Sequence, residues 1–591
     1  MDNQKLETQL QMALSLPERV RQETMDLNVG YDDADERWTL LIRYVGDILA
    51  AESETVQITV LLGGYAVVVL PQEEIEAFSA LPQVIYVEKP KRLNFAVYRG
   101  KQASCFTAVQ AAPYNLTGEG VLIGIVDSGI DIFHPDFRNP DGTTRITALW
   151  DQTAVGEPPA GFRRGRLYRR EEINTLLETE SPENWRDFDS RGHGTAVAGI
   201  AAGGGQTDST YRGAAWKSEL LVVRLGAPDE RSFPRTSELM TGVDFLVWTA
   251  VQMGKAIAVN ISFGNNYGSH DGDSLLSSYL DEAAVYGRNV ICIGMGNEGA
   301  MARHASGQWQ EGQRQVTELA VQSFQTSFNL QMYLSYEDQV DFFLVHPDGR
   351  RYAAIDERVG TQEIRLGDTI IYLNYGQPTP YSRKQEVYLE FVPEGSYVDS
   401  GTWRIVANPR RIVTGDYDYW LPSGQSVLEG TKFLFPDPDR TFTEPAGTSK
   451  AIAVAAYDTA TQSYAPFSGR GFPQAPGDIQ PVIAAPGVNI TTVRAGGGYA
   501  AVTGTSFATP FVTGACALLM EWGIVRGNDP YLYGQKLKSY LISGARRLPG
   551  VSEYPNRMVG YGALCVRDSL PLSCGCPADR RRLQSEWESE P

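Results

Sequence analysis

The feature that most constrains this chain is a set of short, mainly apolar runs, each ending at or next to an Asp or Gly. They are VLIGIVD (121–127), LLVVRL (220–225), AIAVNISF (256–263) and NVICIGMG (289–296). A strand with one wet face alternates polar and apolar residues; these runs do not alternate, so both faces must be covered. Helix-like stretches lie between them: HGTAVAGIAAG (193–203), SELMTGVDFLVWTAVQMG (237–254) and LLSSYLDEAAVYG (275–287). Strands alternating with helices predict a doubly wound parallel sheet, whose ligand sites lie at the carboxyl ends of the strands.

Two other textures flank and interrupt that pattern. Residues 1–97 read as a small α+β unit. It has strands in RWTLLIRYVGDI, in VQITVLLGGYAVVVL (56–70, with a Gly63-Gly64 turn) and in VIYVEKP (84–90). PQEEIEAFSALP (71–82) reads as a short helix with Ile75, Phe78 and Leu81 on one face. LNFAVYRGKQASC (93–105) shows no period and reads as an extended connector. Residues 302–425 hold alternating strands spaced by turns, which predicts an inserted all-β jelly roll or sandwich. The α/β pattern fills 98–301, resumes over 426–573, and leaves a tail at 574–591.

Composition narrows the function. With 52 Lys+Arg against 71 Asp+Glu the net charge is −19, which argues against nucleic acid as partner. The segment FRRGRLYRREE (162–172) is basic against that background and reads as a solvated face or a patch for an acidic substrate segment. No basic region followed by an apolar core opens the sequence, so no signal peptide is expected, and no run of about 18 apolar residues predicts a membrane span. Cytoplasmic synthesis follows from that reading. Six Cys in 591 residues do not make a disulfide scaffold. Cys105, Cys292, Cys516 and Cys565 read as small core residues, and Cys574-Gly-Cys576 as a metal or redox pair without a second pair at zinc spacing.

Four segments carry chemistry together. GVLIGIVDSGIDIFHPDF (120–137) ends a buried strand at Asp127; SRGHGTAVAGIAAG (190–203) sets His193 between glycines at a helix start; GTSFATPFVTGACALL (504–519) opens a helix at Ser506. Taken singly, each is an ordinary turn or cap. Acyl transfer, however, needs a hydroxyl nucleophile, an imidazole base and a carboxylate to hold the imidazole, and the three occur at element ends able to fix them. In NVICIGMGNEG (289–299), Asn297 follows a buried strand in a Gly-rich turn, where its amide and the Ser506 N–H suit an oxyanion.

These segments resemble those of the subtilase (subtilisin-like) serine proteases: Asp127 in D-[ST]-G, His193 in H-G-T, Asn297 in G-N and Ser506 in G-T-S-x-A-x-P. The Gly213-Ala214-Ala215 turn, the APG at 485–487 and Gly560-Tyr561-Gly562 extend the match over 117–301 and 426–566. The resemblance implies a subtilisin-like fold and an endopeptidase without a catalytic cofactor. It implies a peptide substrate held as an added strand, with Ser262, Phe263 and Gly264 on one side and Gly294, Met295 and Gly296 on the other. It also implies that 1–97 is a propeptide cut somewhere in 92–106. Structural Ca²⁺ occurs in the family. Here the loop 203–213 has one Asp and no carboxylate cluster; Asp131 and Asp136, near Asp127, are placed to ligate a cation or to stay solvated as loop carboxylates, so no clear Ca²⁺ site is expected.

The domain order is similar to that of the Csp proteases of clostridia. That resemblance implies a cleaved propeptide that stays bound, spore association, and limited proteolysis of a cortex-hydrolase proenzyme during germination. The competing readings are a silent pseudoprotease or scaffold, as in relatives lacking triad residues, and a secreted general-purpose subtilase.

Overall fold

The structure, a computed structural model, describes residues 5–15, 30–32, 35–61, 64–89, 96–182, 188–226, 235–358, 361–376, 382, 384–424, 427–472 and 479–571. The chain divides into two compact units, Met1–Phe95 and Ala96–Pro591.

The first unit is a five-stranded antiparallel sheet. Arg37–Tyr44 lies between Tyr65–Pro71 on one side and both Tyr31–Asp32 and Val84–Glu88 on the other, with Gln57–Leu61 outside Tyr65–Pro71. The period-2 pattern of Tyr65–Pro71 turns Ala66, Val68 and Leu70 into a core with Trp38, Leu40 and Ile42. Ile75 and Phe78 of the helix Ile75–Ser79 close that core, and Leu81 packs at its edge. The α+β expectation for this region holds over its described residues.

In the second unit the apolar runs become a parallel sheet. We label β1 Val121–Asp127, β2 Ile146–Asp151, β3 Arg166–Arg169, α1 His193–Ala202, β4 Glu219–Arg224, α2 Thr236–Gln252, β5 Ala256–Ile261, α3 Leu275–Ala283, β6 Asn289–Gly294, β7 Ile452–Asp458, β8 Ile483–Pro486 and α4 Thr505–Met520. The order across the sheet is β7-β6-β5-β1-β4-β2-β3, with β8 beside β7. Among these strands all pairings except β2–β3 are parallel, and a two-residue strand, Ser463–Tyr464, adds an antiparallel pairing to the edge of β7. Strands β1, β5 and β6 are buried at every residue, as unbroken apolar runs require. The chain steps from β1 to β2 and β4 on one side and to β5 and β6 on the other. The topological switch therefore falls at the carboxyl end of β1.

Between β6 and β7 two antiparallel sheets face each other. One has six strands, ordered His304–Gln308, Asp416–Trp420, Phe328–Ser335, Lys384–Pro393, Thr369–Tyr375 and Thr361–Leu366. The other has five, ordered Tyr352–Ile355, Gln339–Val345, Gly401–Arg411, Gln315–Val321 and Lys432–Phe433. Their inner faces share a core of Trp309, Phe342, Leu389, Phe391, Trp403 and Phe433. Lys432–Phe433 pairs with Gln315–Val321, so the β module runs past the expected limit of 425.

Two expectations need correction. The stretch 93–105 is not wholly an extended connector: Ala96–Ala103 is helical. Tertiary packing decides this, since Gly100 is buried so close to α4 that a Cβ there would lie 2.8 Å from Phe511. Cys105 and Cys565 are not two separate core thiols but a disulfide across 460 residues, a pairing with no local signal. Cys292 and Cys516 are buried as expected, with their sulfurs 3.9 Å apart. The tail 574–591, with its expected metal or redox pair Cys574-Gly-Cys576, lies outside the described residues, as do positions 92–95 of the expected cleavage region.

Candidate active site

Two helices share one construction. Every residue of α1 is buried except His193, and every residue of α4 except Ser506. Both helices are rich in Ala, Gly and Thr, which lets them press close to the sheet and to each other. Each is a buried rod with one reactive side chain at its start.

The approach of α1 to β1 depends on Gly194, where a Cβ would overlap the Gly129 carbonyl and sit 3.1 Å from the Asp127 Cβ. His193 Nδ1 thereby meets Asp127 Oδ1 at 2.7 Å. The Asp127 side chain is wholly buried and that of His193 is 28% exposed. Asp127 Oδ1 also accepts the Ser128 N–H at 2.7 Å, while Oδ2 has no hydrogen-bond partner among the described residues. A buried carboxylate this poorly solvated favours a positive charge on the ring beside it. Burial alone draws the His193 pKa down, but the charge and hydrogen bond of Asp127 outweigh it and the net shift is upward.

Sequence reasoning missed Asp189. It is buried, and it receives the Ser128 hydroxyl at 2.7 Å, the Gly192 N–H at 2.9 Å, and the Thr195 N–H and hydroxyl at 2.7 and 2.6 Å. It thus ties the loop after β1 to the first turn of α1. The only signal was its place four residues before His193.

Ser506 lies across the cleft. Pro510 has no N–H to give back to the Ser506 carbonyl, and that carbonyl accepts the Ser262 hydroxyl instead at 3.1 Å. Asn260 steadies the same hydroxyl at 2.9 Å and is itself held by Thr513 of α4. The Ser506 hydroxyl is turned toward the Ser262 carbonyl at 3.3 Å. The His193 ring sits 5.3 Å from Phe507 and 5.8 Å from Phe263, wedged between the side chains that follow Ser506 and Ser262. Asn297 Oδ1 receives the Thr505 N–H at 3.0 Å and the Thr505 hydroxyl at 3.2 Å. Those donors fix which end of the amide is oxygen and leave the NH₂ as the end able to donate outward.

A pocket of about 190 Å³ beside Ser506 joins these groups. Ser262, Phe263, Gly264, Gly294, Gly296 and Asn297 line it, together with Glu298, Thr443 and the Ser423-Gly424 rim, which sequence reasoning did not single out. Phe263 and Gly264 also border a larger, mainly apolar cavity of about 460 Å³ with Leu225, Leu239, Leu276 and Pro445. Met295 is corrected. Its side chain is fully buried in the core, and its N–H and C=O bond to Val454 and Thr443. Strand alternation turns Met295 inward where its two glycine neighbours face the pocket.

The rim is held by charge. Arg303 Nη1 donates to the carbonyls of Pro422 at 3.0 Å and Gly424 at 2.7 Å, and Nη2 to Val427 at 3.2 Å. Arg303 also pairs with Glu298 at 3.3 Å, and Glu298 Oε1 receives the Gly424 N–H at 3.1 Å.

The remaining candidates are accounted for locally. Asp131 accepts N–H groups of Phe133 and Gly496, Asp136 those of Gln206 and the Tyr499 hydroxyl, and Asp208 that of Thr210. These residues do not form a cation cage, and among the described residues no group of three or more His, Cys, Asp or Glu is set to hold a metal. In the basic segment, Arg164 pairs with Glu238, Arg166 with Glu172 and Arg170 with Glu219, so much of its charge is neutralised within the fold. One helical stretch, Thr505–Val525, is long and apolar enough to cross a membrane by composition, and it lies 83% buried within the protein.

The chain is similar to known proteins over most of its length. Residues 118–410 and 436–562 match the subtilase family, and residues 4–91 the Csp protease B prodomain. The structure is similar to that of the Clostridium perfringens CspB protease, with 34% identity and a TM-score of 0.74 over 80% of this chain and 96% of that one. Among curated relatives, the minor extracellular protease Vpr of Bacillus subtilis is 24% identical over 77% of this chain and 52% of its own length. The PII-type proteinase of Lactococcus lactis subsp. cremoris is 22% identical over 75% of this chain and 25% of its own. The chain therefore spans between a quarter and about half of these two relatives.

Proposed function

The chain belongs to the subtilase family of serine proteases and carries a prodomain similar to that of Csp protease B. From that premise we propose that Ser506, His193 and Asp127 form the catalytic triad of an endopeptidase, with Asn297 and the Ser506 N–H as oxyanion donors. The observation that carries the reading is the 2.7 Å contact of His193 on the wholly buried Asp127, with the His193 ring 5.3 Å from that of Phe507, the residue next to Ser506.

Ser506 Oγ attacks the scissile carbonyl as its proton passes to His193 Nε2. Asp127 keeps Nδ1 protonated and opposes the imidazolium charge. The tetrahedral oxyanion takes hydrogen bonds from Asn297 Nδ2 and from the N–H of Ser506 at the start of α4, where the helix dipole adds a favourable field. His193 returns its proton to the leaving amine, and the acyl-enzyme is released by water activated in the same way. Ser262–Gly264 serves as the edge on which substrate backbone pairs.

The first substrate is the chain's own propeptide, cut within 92–106 and retained. The second is a partner protein. Similarity to clostridial Csp proteases supports the proenzyme of a spore-cortex hydrolase as that partner, hence a role in germination. The test sets the parent beside Ser506→Ala. Mass spectrometry should find propeptide cleavage in the parent alone, and a fluorophosphonate should label the parent alone. Equal cleavage in both ends the self-processing reading, and no labelling of the parent ends the enzyme reading. Incubation with a purified cortex-hydrolase proenzyme, left uncut by the labelled parent, would remove the germination role while leaving the protease intact.

A further inference from the structure

Thr443 stands where the chain returns from the β module to the sheet. Its N–H donates to the Met295 carbonyl at 3.1 Å and its side chain is buried. That side chain occupies the gap between Gly264 on one wall of the small pocket and Gly296 on the other. A Cβ on either glycine would overlap the Thr443 hydroxyl; from Gly296 it would also lie 2.6 Å from the Thr443 Cγ2, and from Gly264 2.8 Å from its Cβ. Both walls are thus bare of side chains at this level, and Thr443 fills the space they leave.

Charge is absent as well. Among the described residues Glu298 is the one carboxylate lining the pocket, and both of its oxygens are engaged, one by the Gly424 N–H and the other by Arg303. The pocket beside Ser506, about 190 Å³, is smaller than the apolar cavity across Phe263, about 460 Å³.

We propose that Thr443 is the specificity-determining residue of this cleft: by filling the slot between Gly264 and Gly296, it restricts the residue whose carbonyl is attacked to a short, uncharged side chain such as Gly, Ala or Ser. This rests on the assignment of Ser506 as nucleophile. Leucine and the aromatics meet Thr443, and lysine finds no free carboxylate to offset its desolvation.

The experiment uses the full chain and peptides identical except for Ala, Ser, Leu, Phe or Lys before the scissile bond. A fluorophosphonate titrates each preparation, so that kcat/KM is expressed per reactive serine. The parent should cleave the Ala and Ser peptides about tenfold or more faster than the other three. Thr443→Gly should raise the Phe-to-Ala ratio by about tenfold or more, while Thr443→Val, close in shape, should keep the parent's ratio. Should Thr443→Gly fail to fold, Thr443→Ser removes one methyl and should move the ratio the same way. A labelled parent that cuts Phe or Lys as fast as Ala overturns the proposal, as does an unmoved ratio in a labelled Thr443→Gly or Thr443→Ser. A parent that is not labelled overturns the nucleophile assignment, and the proposal with it.

Discussion

The parallel sheet and the β module both border the pocket, but they hold their contributions by different forces. On the sheet side, Asp127, His193 and Ser506 project from elements buried almost throughout, and apolar packing sets their positions. On the module side, the Ser423-Gly424 rim has no such backing and is held by one buried guanidinium and one buried carboxylate. Packing is tolerant and adds up over many contacts, whereas a buried ion pair depends on both partners. The proposed chemistry is therefore rooted in the sturdier half, and the shape of the pocket depends on the more brittle one.

The largest effect should come from the sheet side. Asp127→Asn keeps size and shape but removes the charge beside His193. A loss of about 10⁴-fold in kcat is expected with little change in thermal midpoint. The pH profile supplies an independent readout. The base must be neutral, and Asp127 helps to raise the His193 pKa, so the parent's acid limb in kcat/KM should lie above the ordinary imidazole value. In Asp127→Asn that limb should move down. An unmoved limb would detach Asp127 from His193.

On the module side the order of damage should reverse, with stability lost before chemistry. Arg303→Met strands the Glu298 carboxylate and frees three carbonyls, which should cost about 3–5 kcal/mol of stability. In the surviving folded protein KM should rise more than kcat falls, because the rim shapes the pocket and touches no reacting atom. Adding Glu298→Met should restore part of the lost stability, since the unpaired charge is then gone while the three carbonyls and the Gly424 N–H stay without their partners. If the double variant is no more stable than Arg303→Met, the clamp is not electrostatic.

The same contrast explains what the sequence reveals. Unbroken runs such as VLIGIVD can only be doubly covered strands, and a buried small-residue helix opened by a lone His or Ser marks a reactive end, so the sheet side was legible. The alternating strands of 302–425 were legible as a β module because period 2 needs only local pattern. Thr443, the Arg303–Glu298 clamp and the Cys105–Cys565 bond were not. Each depends on groups brought together by the fold: Thr443 is read only against two glycines 147 or more residues earlier, and the disulfide spans 460 residues. Met295 was misplaced for a smaller reason: the motif names three consecutive residues, while the strand turns the middle one inward.

Asn297 sits where the two halves meet, fixed by Thr505 of α4 and followed directly by Glu298 of the clamp. Asn297→Ala should lower kcat by about 10²–10³-fold at nearly unchanged KM, since a proposed oxyanion donor binds charge present only in the transition state. A KM effect of the same size would move Asn297 from the chemical half to the shape-giving half.

The smallest effect belongs to Glu444, in the wall of the larger cavity. Its carboxyl is fully buried and pushed up to about 7, by desolvation first and by the charges of Asp273 and Asp271, against the hydrogen bond from Ser277. A carboxyl whose folded pKa lies above the unfolded value of about 4.5 holds its proton more tightly when folded. Its favourable contribution is complete below pH 4.5 and is lost as the pH rises through about 7, some 3 kcal/mol in all. Glu444→Gln keeps an acceptor for Ser277 and cannot ionise. The variant should match the parent in thermal midpoint near pH 4.5 and exceed it at pH 8. Parallel pH profiles would show that Glu444 titrates as an ordinary carboxylate. The wall shared by sheet and module would then tolerate a charge that this packing should reject.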